Sequence, residues 1–274
     1  MIKISVNDFN LKDTITCGQI FRFKEVDDSY IVVLKDRVVK LKQDKDILYV
    51  TSNNEENLEA VIKDYLDLDR DYLSINKEIL KRNPELKNSI DNCSGLKMIR
   101  QDKFETLISY IISANNRVSM ISKVVDNISM RYGKKVIFEG KEYYLFPDSI
   151  SMKDCTKEEL RNLKTGFRDE YIYEIVNKIN SKDFDLEKID EMTSNEALDY
   201  LMSNKGIGLK VASCILLFAY SRFDVFPIDT WVKKYMLDNY NINTVSKIKK
   251  YSEEHYSNYS GLIIQYMFHS SRNK

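Results

Sequence analysis

The pattern of apolar and polar positions divides the chain into a β-rich first part and a long helical remainder. The first six residues alternate as a strand does, and short runs of β-branched and aromatic residues between polar turn clusters predict further strands at 19–23, 30–34, 37–41 and 47–50. A helix is expected over Glu55–Tyr65 and, from about Tyr72, the apolar spacing is helical almost to the end. The exception is 132–146, which predicts a connection with a short hairpin. The fold class is therefore α+β, with an N-terminal antiparallel β-sheet domain over 1–90 and a helical region over 91–274.

The most informative segment is a predicted pair of helices joined by the turn Gly206-Ile207-Gly208. Glycine tolerates positive φ and close backbone approach, so two glycines around one apolar residue predict a tight turn. The backbone N–H groups at such a helix start can hold a phosphate without any charged side chain. On its own, however, a Gly-x-Gly segment is explained equally well by a plain helix–helix turn.

Two candidate catalytic residues follow this turn. Lys210 lies in the first turn of an apolar helix, where low solvation and the positive helix end favour the neutral, nucleophilic amine. The alternative is a surface lysine whose methylene stem covers a buried helix. Asp229, after Phe226-Pro227-Ile228, has the sequence context of a helix N-cap, and a fixed carboxylate can also stabilise developing positive charge. The two roles of Asp229 are compatible.

Composition narrows the class of protein without identifying it. No run of about 18 apolar residues and no secretory segment is present, so we expect a cytoplasmic protein without a membrane partner. The four cysteines are far apart and form no Cys-x-x-Cys pair, which predicts reduced thiols and no zinc site, iron–sulfur cluster or other cofactor. The net charge of zero argues against a strongly basic DNA-binding protein, although lysine and arginine cluster near the motif segments.

Five motifs occur in an order that resembles one enzyme family. They are Cys17-Gly18-Gln19-Ile20-Phe21-Arg22, Ile99-Arg100-Gln101-Asp102, Ser113-Ala114-Asn115-Asn116-Arg117, Gly166-Phe167-Arg168 and the Lys210 hairpin. From about Thr16 to Arg272 the chain resembles the helix-hairpin-helix DNA glycosylases and, within them, a bacterial 8-oxoguanine DNA glycosylase/AP lyase. The resemblance implies two helical subdomains with the catalytic cleft between them. It also implies a monomer, nucleoid-associated, that acts on double-stranded DNA containing oxidised guanine.

The resemblance also assigns roles to individual residues. It implies that Lys210 attacks the sugar C1′ and forms a Schiff base through which the strand is nicked by β-elimination, with Asp229 as its carboxylate partner. The residues implied to bind the extruded base are Gly18, Cys214, Phe268 and Gln265. The residues implied to contact the gap and the opposite base are Asn115, Phe167, Arg168 and Met120, and those implied to contact phosphate are Gly206 and Gly208. Taken without the resemblance, these positions suit turn glycines, core residues, a helix-ending asparagine and a solvated arginine.

Three positions depart from the pattern of the family. Met120 stands where eukaryotic members have an arginine that contacts the opposite cytosine, so we expect weaker discrimination among opposite bases. Ile264 stands where the family has a glutamine that contacts the Watson–Crick edge of the base, and Gln265 is about 100° further around the helix. Either the helix rotates slightly to present Gln265 or this contact is missing. Trp231 stands where eukaryotic members have a histidine, two positions after the aspartate.

Two other functions fit parts of the same sequence. A glycosylase for another oxidised or alkylated purine would share the fold, but enzymes of the alkylated-base class typically lack the hairpin lysine. A non-catalytic helix-hairpin-helix DNA-binding protein would need neither Lys210 nor Asp229. Trapping of a covalent adduct with borohydride separates this last alternative from the bifunctional enzyme.

Overall fold

The computed structural model describes residues 1–272, and it begins with a five-stranded antiparallel sheet in the order β1-β5-β4-β3-β2. The strands are β1 (Ile2–Ser5), β2 (Phe23–Val26), β3 (Ser29–Val33), β4 (Val38–Asp44) and β5 (Ile47–Ser52). Helix α1 (Leu11–Thr16) connects β1 to the loop before β2. Alternating side chains of the sheet form one core with residues of α1 and with Leu58 and Ile62.

The rest of the chain is mainly helical, as the apolar spacing predicts. The elements are α2 (Leu58–Tyr65), α3 (Tyr72–Arg82), α4 (Lys87–Asp91), α5 (Lys103–Ser113), α6 (Val118–Tyr132), the hairpin β6 (Lys135–Phe138) and β7 (Lys141–Tyr144), α7 (Lys157–Asn162), α8 (Asp169–Asn180), α9 (Ser194–Met202), α10 (Leu209–Ala219), α11 (Thr230–Tyr240), α12 (Val245–His255) and α13 (Ser260–Arg272). Apolar faces of α3 to α13 meet in a second, larger core. The expected N-terminal sheet followed by a helical body is confirmed.

The strand expected at 19–23 is wrong in its extent, because β2 begins only at Phe23. Residues 17–22 form a loop held by a buried carboxamide. Gln19 Nε2 donates to the carbonyls of Thr14 and Lys97 at 2.8 and 2.9 Å, and its Oε1 accepts the Ile99 amide at 2.8 Å. These side-chain hydrogen bonds hold the segment against Lys97 and Ile99 rather than as an extension of β2.

Two further features concern the cysteines and the hydropathy of the helices. The four cysteines are all buried and unbonded to one another, as expected for reduced thiols. Within residues 1–272, no helix is both long and apolar enough to cross a bilayer.

Candidate active site

The turn between α9 and α10 has the tight geometry expected from its glycines. Gly206 has a φ of 86°, and a Cβ at this position would overlap the ring of Tyr171. Gly208 caps α10 with a φ of −92° and has no atom within 4 Å of the position of a Cβ. Gly206 is therefore required by the turn itself, whereas the surface of Gly208 is open to a ligand.

Lys210 lies in the first turn of α10 and extends toward the end of α5. Its side chain is partly buried, and Nζ donates to Ser113 Oγ at 3.3 Å. The same nitrogen is 5.2 Å from the centroid of the Tyr110 ring. Tyr110 and Ser113 are three residues apart on α5 and so lie on one face of it. Packing between α5 and α10 thus fixes the position of the amine.

Cys214 lies one turn after Lys210 on α10. Burial raises the pKa of the Cys214 thiol to about 11; the nearby Lys210 lowers it and the Asp229 carboxylate raises it. The side chain is therefore a neutral thiol at physiological pH. Its pKa responds to both the amine and the carboxylate because each is near enough to Cys214 to act on it electrostatically.

Asp229 begins α11, as its sequence context predicts. One oxygen of its carboxylate accepts the Val232 amide at 2.8 Å, which is the N-cap hydrogen bond. Pro227 and Ile228 before it are buried, whereas Asp229 itself is partly exposed. The cap therefore orients the carboxylate and leaves one of its oxygens available at the surface.

Lys210 and Asp229 line one open cleft of about 820 Å³. The cleft is completed by the loop after α5, the start of α6 and the first turn of α11. The lining residues are Ser113, Ala114, Asn115, Asn116, Arg117, Met120, Lys210, Ile228, Asp229, Thr230 and Lys233. Four of the residues singled out in the sequence, Asn115 and Met120 as well as the amine and the carboxylate, are therefore together.

Hydrogen bonds from Arg168 hold the loop that carries Asn115. Asn115 is exposed and has a φ of 52°. Arg168 is only 6% exposed, and its guanidinium donates to the carbonyls of Ala114, Asn115 and Thr165, at 3.0, 3.1 and 3.2 Å respectively. In this structure Arg168 therefore supports the loop rather than facing the cleft.

Phe167, the neighbour of Arg168, has the opposite orientation. Its ring is 56% exposed and lies 4.3 Å from the guanidinium carbon of Arg168. The ring of Tyr171 meets it edge-on at a centroid distance of 6.1 Å. An aromatic ring held out from the surface on a supported turn can enter a neighbouring base stack.

Comparison with known proteins identifies related sequences and folds. A family model for the N-terminal domain of 8-oxoguanine DNA glycosylase matches residues 1–107. The fold matches a solved complex of MBOgg1 with a low-affinity DNA ligand at a TM-score of 0.94 and 36% identity, covering 99% of this chain and 95% of that one. It also matches the Clostridium acetobutylicum 8-oxoguanine glycosylase/lyase, solved with double-stranded DNA containing cytosine opposite 8-oxoguanine, at a TM-score of 0.91 and 38% identity, covering 97% and 92%.

The chain belongs to the 8-oxoguanine glycosylase/lyase family. It is also 27% identical over 241 residues to the N-glycosylase/DNA lyase OGG1 of Arabidopsis thaliana, covering 84% of this chain and 66% of the plant protein. Family membership makes this protein a bifunctional DNA-repair enzyme, a DNA N-glycosylase and AP lyase. Among residues 1–272, no group of three or more His, Cys, Asp or Glu side chains is placed to hold a metal ion.

A second group of expected residues in this glycosylase lies around Gly18. Gly18 has a φ of 91°, and a Cβ there would be 3.3 Å from Cε1 of Phe268 and 3.6 Å from Nη1 of Arg272. Gln265 is buried, and its Nε2 donates to the Cys17 carbonyl at 2.9 Å. Gly18, Phe268 and Gln265 are therefore neighbours, although none of them lines the cleft that contains Lys210.

Tyr110 connects the two groups. Burial raises the pKa of its phenol well above the usual range, and the thiols of Cys214 and Cys17 raise it further because they are close to it. Its ring stacks on Phe218 and meets Phe21 edge-on, both at a centroid distance of 5.5 Å.

Neither Tyr110 nor the hydroxyl of Ser113 had a role assigned from sequence. The i, i+3 spacing of these two residues on a helix that ends at the Asn115 loop is the signal that could have found them.

Proposed function

We propose that this protein removes 8-oxoguanine from duplex DNA through the amine of Lys210 and then nicks the strand through the resulting Schiff base. The observation that carries the proposal is that Lys210 and the capped carboxylate of Asp229 line one cleft, beside the exposed Asn115 loop. An amine and a carboxylate in such a cleft suit attack on an extruded nucleotide better than they suit a purely structural turn.

The reaction follows from the two groups. The Lys210 amine forms a bond to C1′ while the C1′–N9 bond breaks, and the base leaves with that electron pair and takes up a proton. Positive charge develops on the sugar during this step, and the fixed carboxylate of Asp229 stabilises it. The amine then loses a proton as the sugar ring opens to the Schiff base. Loss of a C2′ proton and cleavage of the C3′–O bond release the 3′ phosphate.

Base extrusion is assigned to two exposed residues on supported turns. Asn115 enters the gap left by the base, and Phe167 inserts into the adjacent step. Arg168 supports both, through hydrogen bonds to the loop of Asn115 and through its contact with the ring of Phe167. We assign Arg168 to this supporting role on the strength of its burial, and contact between its guanidinium and the opposite base would need a rearrangement of the loop.

Lesion recognition is assigned to the group around Gly18. Its carbonyl accepts from N7–H of 8-oxoguanine and repels the N7 lone pair of guanine, while Phe268 and Cys214 cover the two faces of the base. The neutral thiol of Cys214 suits contact with an aromatic face. Nε2 of Gln265 is hydrogen-bonded to the Cys17 carbonyl, and the side chain of Ile264 is apolar and buried, so reading of the Watson–Crick edge is not assigned to either residue.

The partner is double-stranded DNA, bound by one copy of the chain at the chromosome. The cleft is rimmed by the cations Arg117 and Lys233, and the hairpin adds backbone N–H groups. Binding is expected to weaken as salt is added, because phosphate contacts release counterions.

The test is a cleavage assay on 8-oxoguanine duplexes with each of the four opposite bases, with and without borohydride. Base release accompanied by a trapped protein–DNA adduct supports the proposal. Release from alkylated purines with no release of 8-oxoguanine would contradict the substrate. DNA binding without either product would favour a binding protein.

A further inference from the structure

Trp231 connects the proposed base-stacking residue to the turn that carries the catalytic carboxylate. It lies on the first turn of α11, two residues after Asp229. Its ring meets that of Phe268 on α13 nearly at right angles, with a centroid distance of 5.2 Å and an interplanar angle of 85°. Edge-to-face contact at this distance is a favoured arrangement of aromatic rings.

The indole of Trp231 is also in contact with a row of further aromatic side chains. Tyr235, one turn later on α11, stacks on Trp231 at 5.1 Å with an interplanar angle of 28°. Tyr240 follows at 6.3 Å from Tyr235, and Tyr251 of α12 lies 4.9 Å from Tyr240. Contacts with two neighbouring rings restrict rotation of the Trp231 side chain, so its position against Phe268 is restricted as well.

Among residues 1–272, Trp231 is the only aromatic ring in contact with the ring of Phe268. Phe268 also lies near Gly18, which has no side chain, and near the exposed Arg272, whose guanidinium carbon is 5.4 Å from the ring centroid. The orientation of the Phe268 ring therefore depends chiefly on Trp231.

We propose that Trp231 is a positioning residue. It fixes the orientation of the Phe268 ring and, through that ring, the position of the extruded base relative to the Asp229 carboxylate. The proposal rests on the stacking role proposed for Phe268. Asp229 is the N-cap of α11 and Trp231 lies in the first turn of that helix, two residues later. A base stacked on Phe268 is thereby held relative to the carboxylate that stabilises the sugar, although Gly18 and Phe268 do not line the cleft of Lys210.

The first experiment compares two substrates. Trp231→Leu is expected to slow single-turnover release of 8-oxoguanine by about tenfold, as loss of one oriented aromatic contact implies. Cleavage at an abasic site, which has no base to stack, is expected to stay within about twofold of the native rate. Trp231→Phe, which retains an aromatic ring, is expected to recover most of the loss. Equal losses on both substrates would overturn the proposal, because a purely structural defect affects both.

A matched control removes another stacked aromatic side chain. The ring of Tyr200 stacks on Phe184 at 4.8 Å, and neither residue lines the cleft. Tyr200→Leu is expected to leave the ratio of the two rates unchanged. A change in this ratio as large as that of Trp231→Leu would show that the effect is not specific to Trp231.

The second experiment uses the fact that Trp231 is the only tryptophan in the chain. In the Lys210→Gln background, an 8-oxoguanine duplex is expected to change the tryptophan emission more than an abasic duplex does. Phe268→Leu is expected to remove that difference. Identical emission with both duplexes would overturn the proposal.

Failure of the underlying site assignment gives a different result. If Phe268→Leu releases 8-oxoguanine at the native rate, the stacking role of Phe268 is wrong and the proposal falls with it. If Phe268→Leu is impaired and Trp231→Leu is not, only the positioning role of Trp231 is wrong.

Discussion

The amine of Lys210 lies 3.3 Å from the hydroxyl of Ser113, the last residue of α5. Asn115 follows two residues later in the chain. The proposed nucleophile and the residue proposed to fill the gap in the duplex are therefore attached to one helix end. When the Asn115 loop inserts into DNA, the same helix end therefore places the sugar of the extruded nucleotide at Lys210.

Lys210→Gln is expected to abolish both base release and strand cleavage, because an amide cannot form the Schiff base. Duplex binding is expected to persist, measured by fluorescence anisotropy with a labelled lesion duplex. Lys205→Gln is the control, since Lys205 pairs with Glu170 at 3.1 Å and does not line the cleft. A borohydride-trapped adduct in the Lys210→Gln protein would refute the assignment of the nucleophile.

Asp229→Asn separates the capping role of this residue from its electrostatic role. Asparagine caps helices about as well as aspartate, so thermal stability is expected to be nearly native. Base release is expected to fall by about 10²–10³-fold, because the negative charge that stabilises the sugar is lost. Asp229→Ala is expected to cost about 1 kcal/mol of unfolding free energy in addition. Native rates in the asparagine variant would restrict Asp229 to capping.

Met120→Arg is expected to increase the preference for cytosine as the opposite base. Met120 is 39% exposed and lines the cleft, so an arginine there reaches the gap and supplies the donors that methionine lacks. One hydrogen bond from a charged donor corresponds to about tenfold or more in relative rate. Single-turnover rates with the four opposite bases measure the change. Met120→Leu, which adds no donor, is the control, and an unchanged order in Met120→Arg would contradict the prediction.

Phe167 and Arg168 are adjacent in sequence, but their substitution is expected to affect stability and base release differently. Phe167→Ala removes an exposed ring, so the melting temperature is expected to stay near native while base release falls. Arg168→Met leaves the carbonyls of Ala114, Asn115 and Thr165 without their guanidinium donor and is expected to lower the unfolding free energy by about 1–3 kcal/mol. Calorimetry combined with single-turnover kinetics distinguishes the two outcomes. A fully stable Arg168→Met protein would show that the loop does not depend on its guanidinium.

The hairpin glycines are likewise expected to respond differently to alanine. Gly206→Ala is expected to destabilise the fold, because of its positive φ and the overlap with Tyr171. Gly208→Ala has room in the free protein and a φ that alanine tolerates, so its melting temperature is expected to be unchanged. Its DNA affinity is expected to fall, because a methyl group obstructs the approach of a phosphate. Native affinity in Gly208→Ala would argue against phosphate contact at this turn.

Local signals account for what could be predicted from the sequence. The α9–α10 turn, the cap at Asp229 and the break between α5 and α6 each depend on residues close together in the chain. Periodicity and capping chemistry therefore located them.

Long-range polar contacts account for what could not be predicted. The run at 19–23 has strand-like composition, but the buried carboxamide of Gln19 binds Lys97 and Ile99, about 80 residues away. Gln265 bonds to Cys17 at the other end of the chain. The burial of Arg168 depends on carbonyls at the end of another helix. No local pattern specifies such partners, since each depends on how distant segments pack.

The four buried cysteines have a practical consequence. Burial raises the pKa of Cys17 and Cys93 to about 12, and that of Cys155 and Cys214 to about 11, so their reactive thiolate forms are scarce near neutral pH. A thiol introduced at an exposed position such as Ser119 would then be the principal group that reacts with an alkylating dye. The native chain can therefore serve as a background for site-selective labelling, and for disulfide tethering to thiol-bearing oligonucleotides that captures short-lived encounter complexes.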